Sequence, residues 1–439
     1  MDAMNQPPTP NPDHQSPGLQ TALTFPLIEA LLGRRSRRFP LGGSLPDGPL
    51  AYTSTQAPLP LSEVEQLLLL SAMSGNNGWH YLLPRQRIDL PHVANYSAAA
   101  GGRTIPSAAG WHTTELFFTD DNGVYFFATR DAPALVEADG DGKVDSAAWL
   151  EAHRPLIRKL SEGRLHLPPT AMDGHNTWCA NAPGSTLLMP VADLAQHLLG
   201  VLCFMVQNGG CLYNNLHGER IPGLERFRHL VDVDNPAPLS EIEQNCLTMC
   251  MAELSTSCYA GNLILQAIGL GGWMFTGLDA YTVLGCSSDP AVPGLGFHYD
   301  RNPAWTTPNP TGLPGVFAGF CPPHYPDMRA AVDAFVTRKF GPGGPFNAAT
   351  PGPWRETAQI RSNAPVHSEE FKACVALMAQ YIYDRFGRFP ATVPSIFARI
   401  FLQAQHLDLG FYDHHFAPGA YLHTHAEHRT NWHNAPRTP

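Results

Sequence analysis

Charge is scarce in this chain. Only 15% of its 439 residues are Asp, Glu, Lys or Arg, and the balance is acidic, with 28 Lys+Arg against 38 Asp+Glu and a formal charge of −10. Nucleic acids and membrane surfaces are polyanionic and repel such a protein, so neither is expected as a partner. Long apolar runs are missing too: no stretch approaches the roughly 20 apolar residues of a membrane span. The opening MDAMNQPPTPNPDHQSPGLQ has neither a basic nor an apolar signal region, and residues 1–20 read as a disordered polar tail. The nine cysteines (179, 203, 211, 246, 250, 258, 286, 321 and 374) form no CxxC pair. They read as buried reduced thiols of a cytoplasmic protein. No GxGxxG fingerprint is present, so a nicotinamide would have to bind by some other means.

What is abundant is Pro (42) and Gly (39), alongside a 44% hydrophobic content. That combination predicts sizeable cores joined by long, ordered loops. PLSEVEQLLLLSAM opens with Ser62 and has Glu65 three residues later, a capping box that starts a helix over about 63–73. PLSEIEQNCLTMCM repeats the device with Ser240 and Glu243. Ile242, Cys246, Met249, Cys250, Leu254, Cys258, Gly261 and Leu265 then recur at steps of three and four, which predicts a long helix over about 241–268. TELFFTDDNGVYFFA (114–128) reads as a hairpin around its Asp-Asn-Gly turn. STLLMP (185–190) and AYTVLGC (280–286) read as strands, the first followed by a helix over about 192–207. Hairpins separated by long helices predict an α+β fold, not a doubly wound sheet. Residues 291–439 read as a Pro/Gly-rich helical extension packed on the core formed by 21–290, with amphipathic stretches near 327–339 and 367–386.

GRRSRRFP, residues 33–40, concentrates four arginines and a serine into five positions. Guanidinium forks match phosphate oxygens in pairs, and a serine hydroxyl adds a short neutral donor. A plain basic surface patch is the competing reading. Two further segments follow in order: SAMSGNNGWHYLL (71–83) and RTIPSAAGWHTTELFF (103–118). Then AGNLILQAIGLGGWMFTG (260–277) carries a helix end into a Gly-Leu-Gly turn.

This succession resembles the FMN-dependent nitroreductase superfamily, which opens with an Arg-x-Ser-x-Arg/Lys element, a helix and a Ser/Asn-rich loop leading into a Trp-containing strand. Arg34, Ser36 and Arg38 match the first element; Ser74, Asn77 and Trp79 match the loop. Pro106, Ser107 and Glu115 are similar to the Pro-Ser-Gly-Gly-Ala loop and Glu-bearing strand of the branch with azoline dehydrogenases of peptide maturation, although Ala108 and Ala109 replace its glycine pair. The resemblance implies a nitroreductase-like sandwich, a mainly antiparallel or mixed sheet flanked by long helices, with FMN as cofactor and a homodimer whose subunits share each flavin site. It implies that Arg34, with Arg35 or Arg37 in support, holds the phosphate and that Ser36 reaches ribityl or phosphate oxygens. Arg38 would stand near N1 and C2 of the flavin, where a fixed cation stabilises the reduced anion. Ser74, Asn76, Asn77, Pro106, Ser107, Gly271 and Gly272 would line the remaining site. Ping-pong two-electron transfer between a donor, NADH or NADPH among the candidates, and a small-molecule or peptide-derived acceptor would follow. Residues 128–185 look like an insertion, and Arg361 and Arg399 are candidates to close the phosphate site.

Two constellations compete. EADGDGKVDSAAW (137–149) imitates a calcium loop, but Ala148 stands where the bidentate carboxylate belongs; an acidic turn leading into a helix at Ser146 is the better reading. The tail YDHHFAPGAYLHTHAEHRTNWH holds His414, His415, His423, His425, His428 and His433. With Glu427 or Asp413 it admits a metal-binding or metal-dependent hydrolytic protein, but the spacing is poor and no HExxH is present. A partly exposed interface helix is the plainer reading, and no metal ligands are assigned. A flavin fold that binds without turnover is the third alternative.

Overall fold

A computed structural model describes residues 16–83, 97–132, 136–300, 302 and 304–433. Of the expected disordered tail, residues 1–15 lie outside the described residues. The rest is corrected: Ser16 caps helix α1 (Pro17–Thr24), and Leu19 is fully buried. Helix α2 (Leu27–Gly33) follows and ends at the arginine element. The capping box at Ser62 forms as expected. Glu65 N donates to Ser62 Oγ at 3.4 Å and Ser62 N to Glu65 Oε2 at 2.6 Å, starting α3 (Glu63–Ser74). Asp145 accepts from Ala147 N and Ala148 N and so starts α4 (Ser146–His153), which makes the acidic loop a helix cap. Helix α5 is Leu194–Gln207.

Helix α6 runs from Leu239 to Ile268, 30 residues and about 45 Å. Its start corrects the expected second capping box: Pro238 is the N-cap and no side chain caps it. Ser240 Oγ accepts instead from Asn215 Nδ2 at 2.7 Å, and burial pushes the Glu243 carboxyl up to about 7 against the pull of Arg388. Cys246, Cys250, Leu254, Cys258, Gly261 and Leu265 are buried along it, as their periodicity predicts. Gly261 permits the crossing with α3, since a Cβ there would fall 2.7 Å from Met73 Sδ. Residues 280–286 are a second correction: Asp279 caps a short helix, α7 (Ala280–Leu284), so the β-branched run does not make a strand. The C-terminal third adds α8 (Met328–Phe340), α9 (Thr357–Ser362), α10 (Glu369–Phe386), α11 (Leu409–His415) and α12 (His423–His433).

The central sheet has seven strands, β1 (Thr114–Thr119), β2 (Gly123–Phe127), β3 (Ile157–Glu162), β4 (Thr186–Asp193), β5 (Gly271–Phe275), β6 (Thr392–Val393) and β7 (Phe401–Gln405), in the order β5-β7-β4-β1-β2-β3 with β6 also on β4. All these pairs are antiparallel, as an α+β chain predicts. The β1–β2 hairpin has the expected register, Leu116 opposite Phe127 and Thr119 opposite Val124, with Asp120 Oδ1 accepting from Asn122 N and Gly123 N in the turn. Leu116 and Phe118 face the core under α3 and α6, while Phe117 joins Leu187, Met189, Phe297 and Phe317 on the opposite face. A sheet covered on both sides needs apolar residues at successive positions, and β1 and β4 are buried throughout. A second core joins α5, α8 and α10.

The segment after 290 is not merely laid on this core. β7 lies between β5 and β4, pairing Gly272 with Ala404 and Leu188 with Leu402. Likewise β3, within residues 128–185, supplies the sheet edge beside β2.

Candidate functional site

The arginine element sits where α2 ends. Two of its guanidiniums serve that helix end: Arg35 Nη1 donates to Leu32 O (3.1 Å) and Arg34 O (2.7 Å), and Arg37 Nη1 donates to Gly33 O (3.1 Å). Cations at the last carbonyls satisfy groups that have no partner within a helix. Arg37 is buried and also bonds Gln266 Oε1 at 2.8 Å and Ala420 O at 2.8 Å, which clamps α2 to α6 and the C-terminal segment. It is therefore not available to support a phosphate. Arg38 Nη2 donates to Asn176 Oδ1 (2.7 Å) and Cys179 Sγ (3.1 Å), and the guanidinium lies over the rings of Trp273 (5.0 Å) and Trp178 (5.4 Å). Its buried Nε has no partner. Arg34 is half-buried and its guanidinium makes no hydrogen bond or ion pair among the described residues, and Ser36 is exposed. Arg34 and Ser36 are thus the members of the element whose side chains are not tied to the end of α2, with Arg38 next to them in sequence.

The second group of candidates lies along α6. Arg37 touches α6 at Gln266, whereas Ser107 Oγ donates to Glu253 Oε1 at 2.5 Å. Thirteen residues of helix separate the two contacts, about 20 Å. Within this group most polar atoms are already engaged. Ser74 is buried against Arg103, whose Nη2 donates to Ser74 Oγ (2.5 Å), Ser74 O (2.8 Å) and Thr129 Oγ1 (2.6 Å). Asn76 Oδ1 accepts from Gly78 N, and His153 Nε2 accepts from Asn76 N at 2.8 Å. Glu115, the strand glutamate, takes Thr129 N and Arg130 N on its two oxygens inside the core. Gly271 and Gly272 are buried at the start of β5; a Cβ on Gly272 would fall 2.3 Å from Gln403 O. The side chains of Ser74 and Asn76 are therefore engaged within the protein, and Gly271 and Gly272 are buried. Asn77 and Pro106 are exposed and Ser107 is half-buried.

The loop 106–114 keeps a left-handed turn although Ala108 and Ala109 stand in place of a glycine pair, because Ala109 adopts φ 53° and Gly110 φ 65°. The two distal arginines are also engaged elsewhere. Arg361 is buried on Pro345 O and Pro351 O (both 2.6 Å), and Arg399 Nε donates to Thr276 O at 2.8 Å.

The histidine-rich tail forms helix α12, partly exposed as expected, with His423, Glu427 and Arg429 on its open side. On α12, His425 and His428 are buried. His428 and the half-buried His433 meet His406, which follows β7, and Glu65 of α3, with all four ligand-type atoms within 4.8 Å of one another. Burial alone would push Glu65 up, yet its interactions with His406, His428 and His433 hold it well below the usual carboxylate range. Burial pushes His406 down against the pull of Glu65. The capping box had accounted for Glu65 completely from sequence, and His406 carried no motif. His428 and His433 were in view, but their partners lie in segments far away in sequence. His406 and His428 also line a cavity of about 480 Å³ with Leu41, Gly269, Tyr421 and His425.

No helix among the described residues is long and apolar enough to cross a membrane. No protein-family model matches the chain, and neither does any curated protein. Among solved structures it is similar, at a TM-score of 0.26 and 14% identity over 58% of this chain and 71% of the other, to a crystal structure from Ralstonia eutropha JMP134 titled a "putative nitroreductase".

Proposed function

We propose that this protein is an FMN-dependent oxidoreductase whose flavin sites are completed across a homodimer. The observation that carries the reading is the division of the candidate residues. Arg34, Ser36 and Arg38 flank Arg37, which contacts α6 near its end, whereas Pro106 and Ser107 lie in a loop that contacts α6 about 20 Å away, and Asn77 lies on the short strand Asn76–Trp79. One chain presents each half alone, whereas a two-fold pairing sets one chain's arginines against its partner's loop. The face that such a pairing needs is present on α2, where Leu27, Ile28 and Leu32 are 64%, 65% and 73% exposed. Apolar side chains concentrated in this way commonly mark an interface.

When bound, FMN would supply two-electron transfer at its ring system. Arg34 and Ser36 would bind the phosphate, and Arg38, stiffened between Trp178 and Trp273, would hold positive charge near the ring. No protein acid or nucleophile is then required. Reduction and reoxidation would alternate on one face, with ping-pong kinetics and NADH or NADPH as donor candidates. The peptide-maturation branch is not favoured, because Ser107 and Glu115 are engaged by the protein itself; a small-molecule acceptor is the simpler reading.

The test is the visible spectrum of the purified chain, followed by heat release and chromatography of the chromophore, with size measured by light scattering. We expect oxidised-flavin bands, released FMN and a dimer. Arg34→Ala should weaken FMN binding about ten-fold or more while leaving the dimer, since a charge-assisted bond is worth ~1.5–3 kcal/mol. Leu32→Asp should lose dimer and flavin together. A colourless protein that takes up no added FMN would overturn the proposal.

A further inference from the structure

The four groups gathered by α3, β7 and α12 pose an electrostatic problem that is met either by extra protons on the imidazoles or by a cation among them. His406 Nδ1 is 2.8 Å from Leu59 O, and His428 Nδ1 is 2.9 Å from Ile268 O. A carbonyl only accepts, so in both rings Nδ1 carries the proton and, in a neutral imidazole, Nε2 is left as a lone pair. Those lone pairs point at the Glu65 carboxylate. Glu65 Oε1 lies 2.9 Å from His428 Nε2, 3.2 Å from His433 Nε2 and 3.7 Å from His406 Nε2, and His406 and His433 Nε2 are 3.1 Å apart. One proton on His433 Nε2 serves only one neighbour. His428 Nε2 is buried and makes no hydrogen bond despite its closeness to the carboxylate. Acceptors converging in a buried space are costly unless a cation lies among them.

We infer that Glu65 Oε1 and the Nε2 atoms of His406, His428 and His433 bind one divalent transition-metal ion of the Zn²⁺ type. Bonds of ~2.0–2.1 Å to a tetrahedral ion put ligands ~3.3–3.4 Å apart, and the four separations above bracket that value. Three imidazoles with one carboxylate exclude Ca²⁺ and Mg²⁺, which take oxygen ligands, and suit Zn²⁺. The surrounding contacts are those a metal site requires. Carbonyls orient His406 and His428, and Ser62 N holds Glu65 Oε2 at 2.6 Å, which fixes Oε1 toward the centre. Four protein ligands close the coordination shell, so the ion is structural: it ties the N-terminal half of the chain to its C-terminal helix. None of the proposed flavin residues takes part, and the two readings stand or fall separately.

The test uses the full-length chain stripped with a chelator and titrated with Co²⁺, whose four-coordinate form has intense visible bands, and then with Zn²⁺ against a chromogenic chelator. The expected result is one ion per chain with four-coordinate Co²⁺ bands, and a melting temperature raised by Zn²⁺. Glu65→Gln and His433→Ala should each weaken binding about ten-fold or more, with circular dichroism confirming that they fold. His414→Ala/His423→Ala removes two exposed tail histidines and should leave stoichiometry and spectrum unchanged. The inference is overturned if the stripped wild-type chain takes up no Co²⁺ at micromolar concentration. Retention of full affinity by both Glu65→Gln and His433→Ala, or loss of the ion in the His414→Ala/His423→Ala chain, would do the same.

Discussion

Glu253 shows what a single side chain can organise. Almost wholly buried on α6, it accepts on Oε2 from the backbone N–H and hydroxyl groups of both Thr113 and Thr114 at 2.9–3.0 Å, and on Oε1 from Ser107 Oγ. Five donors converge on one carboxylate, which pins the loop that carries Pro106 and the left-handed Ala109 to the long helix. Glu253→Ala removes the acceptor that all five share and should cost about 3 kcal/mol in a denaturant titration. Glu253→Gln keeps one oxygen and turns an amide toward Ser107, so a loss nearer ~1 kcal/mol is expected. Nothing in the sequence announced this residue. A glutamate within an amphipathic pattern looks like any polar position, and only the tertiary crossing of α6 with the loop that leads into β1 gives it partners. The arginine element was legible as a cluster but not as four different jobs, because Arg35 and Arg37 are drawn to helix carbonyls that exist only once α2 ends at Gly33.

Among the elements, periodicity and local hydrogen bonding were read correctly where they act alone. The β1–β2 hairpin, α3, α8, α10 and the apolar stripe of α6 all lie where pattern and turn chemistry put them. The failures occur where two local signals look alike. Ser62 and Ser240 open the same PLSE motif, yet only Ser62 takes the cap position; at α6 the helix begins earlier, at Leu239, and Ser240 becomes an interior residue bonded to Asn215. Ser62→Ala should therefore cost about 1 kcal/mol, whereas Ser240→Ala should stay within ~0.5 kcal/mol, both read from urea unfolding midpoints. Residues 280–284 were misread because Asp279 caps a helix with Thr282, a contact that outweighs the β-propensity of the run. β7 carried a strand-sized apolar and glutamine alternation, but its place between β5 and β4 depends on partners more than 120 residues earlier, which no local pattern encodes.

Across the whole molecule the cysteines behave as their scarcity of charged neighbours implies: eight of the nine are buried. Burial pushes the Cys203 thiol up to about 11 and the Cys246 and Cys374 thiols up to about 12. A folded-state pKa above the unfolded value near 9 means that the unfolded chain sheds these protons first. Their contribution is complete below pH ~9 and is lost as pH rises toward 11–12, at ~1.4 kcal/mol per thiol per pH unit. Guanidinium unfolding under reducing conditions should accordingly show stability falling between about pH 9 and 11, and replacing Cys203 by Ala should make that fall shallower. The position of β7 has a further consequence, in time rather than in energy. On the ribosome, β4 and β5 emerge well before residue 401 does, so the middle of the sheet stands open with two unpaired edges until residues 401–405 have been made. Long-range closure of this kind is slow and exposes strand edges to other chains. Production of this protein should thus be limited by what shields those edges during synthesis more than by the stability of the finished fold.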